Sequence, residues 1–151
     1  MKSQDLIAFY KSEINKVIAD LNSYESEEAL WKVLPGTLNS GGNLGQHLIG
    51  NLKAFIGNPF GHINYERHRD AEFSERSFTR EELTTTLAAV AEIVAESIAS
   101  VSEKELLEAY PIEIKAISNA NSVGSMFIYL LAHLSYHAGQ INYHRRYFNT
   151  Q

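Results

Sequence analysis

Leu6, Phe9/Tyr10, Ile14, Val17/Ile18 and Leu21 recur at three- and four-residue steps, the spacing of one helix face. The stripe predicts a first helix over about 4–23, with Ser3 as its cap. Glu27–Trp31 predicts a short helical turn that stops before Pro35-Gly36. Asn39 or Ser40 caps a second helix over about 43–56, with Gly57 as its stop and Pro59 beyond. Residues 57–78, rich in Gly, Asn, Arg and aromatics, read as an irregular connection. Thr79-Arg-Glu-Glu82 is a capping box. It opens a third helix on the stripe Leu83, Leu87, Val90/Ala91, Val94, Ile98 and Val101. A second box, Ser102-Glu-Lys-Glu105, starts a further short turn. Tyr110–Ile117 contains Pro111, alternates weakly and reads as a loop or short hairpin. Asn121 or Ser122 caps a last helix over about 123–147, with Met126/Phe127, Leu130/Leu131, Leu134 and Ile141 inside.

Four main helices, with no repeat and no dividing linker, predict an all-α fold: a four-helix bundle in one domain spanning residues 1–151. The second helix is about 21 Å long at ~1.5 Å per residue. The connection after it is long enough to recross the bundle. The third helix then starts in the same direction as the second. The expected order is up-down-down-up, with a long crossover between the second and third helices.

Composition narrows the chemistry. The 151 residues carry 13 Lys+Arg against 18 Asp+Glu, a net charge of −5, which argues against nucleic-acid binding through a basic face. There is no cysteine, so disulfides, thiolate ligands and a cysteine nucleophile are excluded. A metal site must use His, Asp, Glu or water. Asp5 and Lys11 interrupt what would be a signal peptide's apolar region, so the expectation is a cytoplasmic protein. Ala116–His144 lacks charge but holds three His with several Asn, Ser and Gln, and is not read as a membrane span.

Val33–Leu52 is also free of charge. A helix with no charge on any face is usually buried on most of its surface. These two segments contain His47, His133 and His137, with Asn43, Asn51 and Gln140 nearby at helical spacing. Buried polar groups need partners. A hydrogen-bonded cluster and a metal site both supply them. His133 and His137 lie one turn apart on one face and can converge on one ion. A third ligand must come from another helix, and His47 is the one histidine in the other charge-free segment. Three neutral imidazoles leave open positions on a metal, the arrangement of a catalytic site. His144 lies two turns beyond His137, ~10 Å along the axis, too far to share the ion. His62 and His68, in the irregular connection, fit less well. Tyr129, Tyr136, Tyr143 and Tyr147 read as a packing or partner-facing stripe.

Three stretches carry a resemblance. They are Asn39-Ser-Gly-Gly-Asn-Leu-Gly-Gln-His47-Leu-Ile-Gly-Asn-Leu, Arg67-His-Arg-Asp70-Ala-Glu72-Phe73 and His133-Leu-Ser-Tyr-His137-Ala-Gly-Gln140-Ile. The chain resembles the DinB/YfiT-like superfamily of metal-dependent enzymes, in an uncharacterised branch. The resemblance implies an up-down-down-up bundle, a homodimer, and a divalent metal on His47, His133 and His137. Zinc and nickel both occur in such sites, and three imidazoles do not choose between them. Some relatives are thiol S-transferases that use low-molecular-weight thiols, and others are hydrolases or isomerases.

The implied function is a metal-dependent transferase or hydrolase acting on a small molecule. The alternative is a non-catalytic bundle that binds a metal or small molecule, and a third reading is a structural dimer without metal. With no cysteine in the chain, a thiol nucleophile must arrive as a cosubstrate. Gln140 is placed to orient His137 or a bound water. Asp70 and Glu72 are candidates for a base or positioning group, against the reading that they are surface charges paired with Arg67 or Arg69.

Overall fold

The computed structural model describes residues 2–113 and 121–149. It is all-helical, and the described residues include isolated antiparallel bridges (Val33 with Ser40, Ala109 with Ser122) but no strand. The helices are α1 (Ser3–Asn22), α2 (Glu27–Trp31), α3 (Gly41–Leu52), α4 (Asn58–Gly61), α5 (Arg69–Ser74), α6 (Arg80–Ala99) and α7 (Val123–Phe148). No helix among the described residues is long and apolar enough to cross a membrane.

The long helices start where their caps predict. The hydroxyls of Ser40, Thr79 and Ser122 accept from the backbone N–H three residues on, and each box is closed reciprocally. Ser3 is instead the first residue of α1, and the Lys2 N–H donates to the Asp5 carboxylate at 3.1 Å. Ser102 and Glu105 form the second predicted box, which opens a single 3₁₀ turn over Glu105–Leu107.

The course of the chain after the second helix differs from the sequence pattern. The second helix does not stop at Gly57: Lys53–Gly57 widens into a π-helical turn that feeds directly into α4. Pro59 directly follows this widened turn, which accommodates a residue without an N–H inside the continuous helical run. The chain turns out at His62, whose φ is 50°. The stretch read as irregular thus contains α4 and α5. Of Tyr110–Ile117, the residues beyond 113 lie outside the described residues.

The apolar stripes of α1, α6 and α7 close on α3. Leu6, Tyr10, Ile14, Val17 and Leu21 meet Leu83, Leu87, Val90, Val94 and Ile98, and both rows meet Leu48, Leu52, Phe127, Leu130 and Leu134 in one core. Helix α1 packs on α6 and α7, and α3 packs on α5, α6 and α7. Polar contacts register the long helices. The Tyr10 hydroxyl donates to the Phe127 carbonyl at 2.6 Å, and Arg145 and Asn142 donate to Asp20. Lys11 pairs with Glu92, and Arg80 donates to the Tyr24 carbonyl.

The charge-free segments behave differently. All of α3 except Asn43 is buried, as the lack of charge predicts. Helix α7 is not: Tyr129, Tyr136, Tyr143 and Tyr147 are exposed, so the tyrosine stripe lies outside the core. Aromatic hydroxyls and serines tolerate water without charge.

His144 ties the far end of α7 to the α1–α2 region. Its Nδ1 accepts from the Tyr24 hydroxyl at 2.6 Å and its Nε2–H donates to the Lys32 carbonyl at 2.7 Å. Burial holds its pKa below the ordinary 6.5, with the Lys32 hydrogen bond partly opposing. The unfolded chain therefore takes up a proton that the folded chain refuses. Stability is complete above about pH 6.5 and is lost as pH falls towards the folded value. His144→Ala should cost roughly 2–4 kcal/mol at pH 7.5 through the cavity and lost bonds, read by urea unfolding. The gap between wild type and variant should shrink at pH 5.5. A gap of constant size would show that the ring is not held neutral.

Candidate metal centre

Helices α3 and α7 form the seam that holds the three histidines. His47 lies midway along α3, and His133 and His137 lie one turn apart on α7. His47 is buried; the other two are half-buried. The Nε2 atom of His133 is 3.2 Å from that of His47 and 3.1 Å from that of His137. One ligating atom from each lies within 4.8 Å of the others, so the three could hold a metal ion. Two nitrogens bound at about 2.05 Å are ~3.3 Å apart on a tetrahedral ion and ~2.9 Å apart on an octahedral one. The two separations measured from His133 fall between these limits.

The outer ring nitrogens set the tautomers. His47 Nδ1 lies 2.9 Å from Glu72 Oε2, an acceptor, so Nδ1 carries the proton and Nε2 the lone pair. Arg67 Nη2 is also 3.3 Å from this nitrogen. It cannot donate to a protonated Nδ1, and the shorter contact to a full carboxylate decides the assignment. His137 Nδ1 lies 2.6 Å from Gln140 Oε1, which fixes the same tautomer there. Two lone pairs thus face His133 Nε2. A proton on that atom satisfies one of them; a cation satisfies all three rings. His133 Nδ1 then holds the proton of that ring, and it has no hydrogen-bond partner among the described residues. The Asn51 Oδ1 acceptor, one turn from His47 on α3, has none either.

Glu72 is the carboxylate of the centre. It is 7% exposed, and Arg67 grips it through two hydrogen bonds, Nε to Oε1 at 2.7 Å and Nη2 to Oε2 at 2.8 Å. The Arg67 guanidinium also lies over the Phe55 ring. Burial pushes the Glu72 carboxyl up, but hydrogen bonds from Arg67 and His47 outweigh it and hold it below the usual carboxylate range. Gly50 makes room: a Cβ there would run into Glu72 Oε1. Gln46 fixes α5 by donating to the carbonyls of Glu72 and Glu75 at 3.0 and 2.9 Å and accepting from the Ser77 N–H at 2.7 Å. Asn43 donates to the same two carbonyls. The buried amides of α3 therefore hold the segment that carries Glu72.

His133 and His137 present lone pairs at neutral pH. Burial lowers the His133 pKa to about 4, and the charges of His137, His47 and Arg67 add to the effect. His137 is lowered by burial as well, with Gln140 opposing.

The other candidates fall elsewhere. Asp70 is exposed in the first turn of α5, away from the three-ring cluster. Glu72 is not a surface charge. Its pairing with Arg67 is as one sequence reading had it, and its contact with His47 was not foreseen. His62 and His68 are exposed, and His144 is occupied elsewhere. The sequence reading gave Arg67 and Gln46 no role at the site. The signals were an arginine five residues before Glu72 and an amide beside His47 in a charge-free helix.

Glu72→Gln should keep an acceptor for His47 but leave Arg67 without its counter-charge. Zinc affinity should fall ~10–100-fold in chelator competition, with the helical circular dichroism retained. A lower melting temperature with unchanged affinity would assign Glu72 a purely structural role.

No curated protein and no solved structure matches the chain. A family model described as "Protein of unknown function (DUF1572)" matches residues 1–151, and that family stands in the DinB-like clan. With the match covering the full length, the chain belongs to the DUF1572 family.

Proposed function

We propose that the protein is a metal-dependent enzyme in which His47, His133 and His137 hold one divalent ion, zinc or nickel, and act on a small molecule by thiol S-transfer or hydrolysis. The observation that carries this reading is the meeting of three Nε2 atoms whose outer nitrogens, in His47 and His137, are locked by Glu72 and Gln140. A divalent ion supplies Lewis acidity that lets a water or an external thiol lose its proton near neutral pH. The chain's own part is positional. Glu72 keeps the His47 proton on Nδ1, Gln140 does the same for His137, and Arg67 keeps Glu72 ionised. Three protein ligands leave a further position for the reactant.

The proposal extends to the frame: a single unit over residues 1–151, with α1, α3, α6 and α7 in up-down-down-up order. The order is supported by the register contacts. Tyr10 meets Phe127 and Asp20 meets Arg145, so α1 and α7 run together. Lys11 meets Glu92 while Tyr24 meets Arg80, so α6 runs against α1. A homodimer is part of the same reading, with exposed Tyr129 and Tyr136 as candidate partner-facing groups.

A second reading, a binding bundle without turnover, is favoured by one observation. Glu72 is fully engaged by Arg67 and His47 and is not free to act as a base.

Elemental analysis of purified protein should find about one zinc or nickel ion per chain, as a three-histidine site of this geometry requires. His47→Ala and His133→Ala should each lose it while circular dichroism stays helical. Metal content unchanged in either variant removes that residue from the site. Turnover of low-molecular-weight thiols with electrophilic acceptors, or of simple esters, should depend on the metal. A metal-loaded protein inert across that panel would favour the second reading.

A further inference from the structure

A cavity of about 240 Å³ opens where the α2–α3 connection meets α3 and α7, and Gln140 links it to the three-histidine cluster. Leu44 lines it from α3, one turn before His47, and Gln140 and Tyr143 line it from α7, within two turns after His137. Leu34 and Leu38 close it from the α2–α3 connection, with the uncharged polar Thr37 and Asn39 beside them. Gln140 belongs to both places, since its Oε1 bonds His137 Nδ1.

The lining contains no Asp, Glu, Lys or Arg. His144 reaches it with both ring nitrogens already engaged, by Tyr24 and Lys32. A charged group entering here would lose water and find no counter-charge, a penalty of several kcal/mol. The cavity on the far side of Glu72 is unlike it: Lys53, His68, Glu72 and Glu75 all line that one. At the mouth of the uncharged cavity Leu38 is 90% exposed, an apolar side chain that contributes little to the core.

We propose that this cavity is the subsite for an uncharged, apolar group of the substrate, whose reacting end lies at the three imidazoles. The inference rests on the metal-centre reading and names the substrate class of that centre. The apolar moiety sits against Leu34, Leu38 and Leu44. The Gln140 amide stands at the junction between this moiety and His137.

The test uses benzyl alcohol and benzylamine as probes, followed by amide NMR shifts of the full chain at neutral pH. Benzyl alcohol should shift the amides of Leu44, Gln140 and Tyr143 saturably, and benzylamine should bind at least ~10-fold more weakly for want of a counter-charge. Leu38→Glu, a change at an exposed position, should reverse that order with metal content unchanged. In zinc-loaded protein, benzyl mercaptan, which offers a thiol to the ion, should bind more than ~10-fold tighter than benzyl alcohol. That gain should vanish in His133→Ala. Equal binding of the neutral and cationic probes, or saturable shifts confined to other residues, overturns the subsite. If the protein takes up no zinc yet benzyl alcohol still shifts these three amides, the metal reading has failed while the cavity's ligand class stands.

Discussion

Three imidazoles whose inner nitrogens converge cannot satisfy one another. With His47 and His137 holding their protons on Nδ1, two lone pairs point at the single Nε2 of His133. One proton can answer only one of them. Much of the local structure serves to maintain this frustrated arrangement. Arg67 clamps both oxygens of Glu72, Gly50 leaves the space, and Gln46 and Asn43 fix the carbonyls at the end of α5. Breaking a buried ion pair costs about 3–5 kcal/mol. Glu72 is therefore held firmly enough to impose one tautomer on His47.

The parts of the fold legible in the sequence are those whose signals are local. Ser40, Thr79 and Ser122 cap helices because their hydroxyls reach a backbone N–H three residues on, which a sequence shows directly. The stripes of α1 and α6 are legible because each buries one face. Helix α5 was illegible for the opposite reason. It has six residues, too few for a stripe, and its buried residue is a glutamate. What holds it is side-chain amides 26 to 31 residues upstream. The passage through Gly57 was illegible because a widened turn removes the conflict that Pro59 would otherwise create.

The candidate site was partly legible for a similar reason. His133 and His137 share a face by spacing alone, and His47 stood out by lying in the other stretch without charge. The same cue overreached for α7, whose tyrosines remain in water. It did not reach the carboxylate: Glu72, a candidate from the motif loop, lies outside both charge-free segments and enters the centre only through tertiary contact. An acid near several arginines in sequence reads as a surface charge until its burial is known.

The charge distribution that results is one-sided. Behind His47, away from α7, stands the Arg67–Glu72 pair, which is neutral as a unit. On the Gln140 side the adjoining cavity has no charged lining residue. His133 and His137 add no charge either, since burial keeps these half-buried rings from taking protons. A divalent cation held by this set would keep nearly its full charge, with few compensating groups around it. Such a field favours the ionised form of whatever occupies the remaining position, because an anion there is stabilised by the cation at short range in a medium of reduced dielectric. Replacing one imidazole by a carboxylate would halve that bias, so an all-imidazole set suits chemistry in which a neutral nucleophile must lose a proton. Glu72 keeps its negative charge one ring away, where it orients His47 without adding that charge to the three imidazoles.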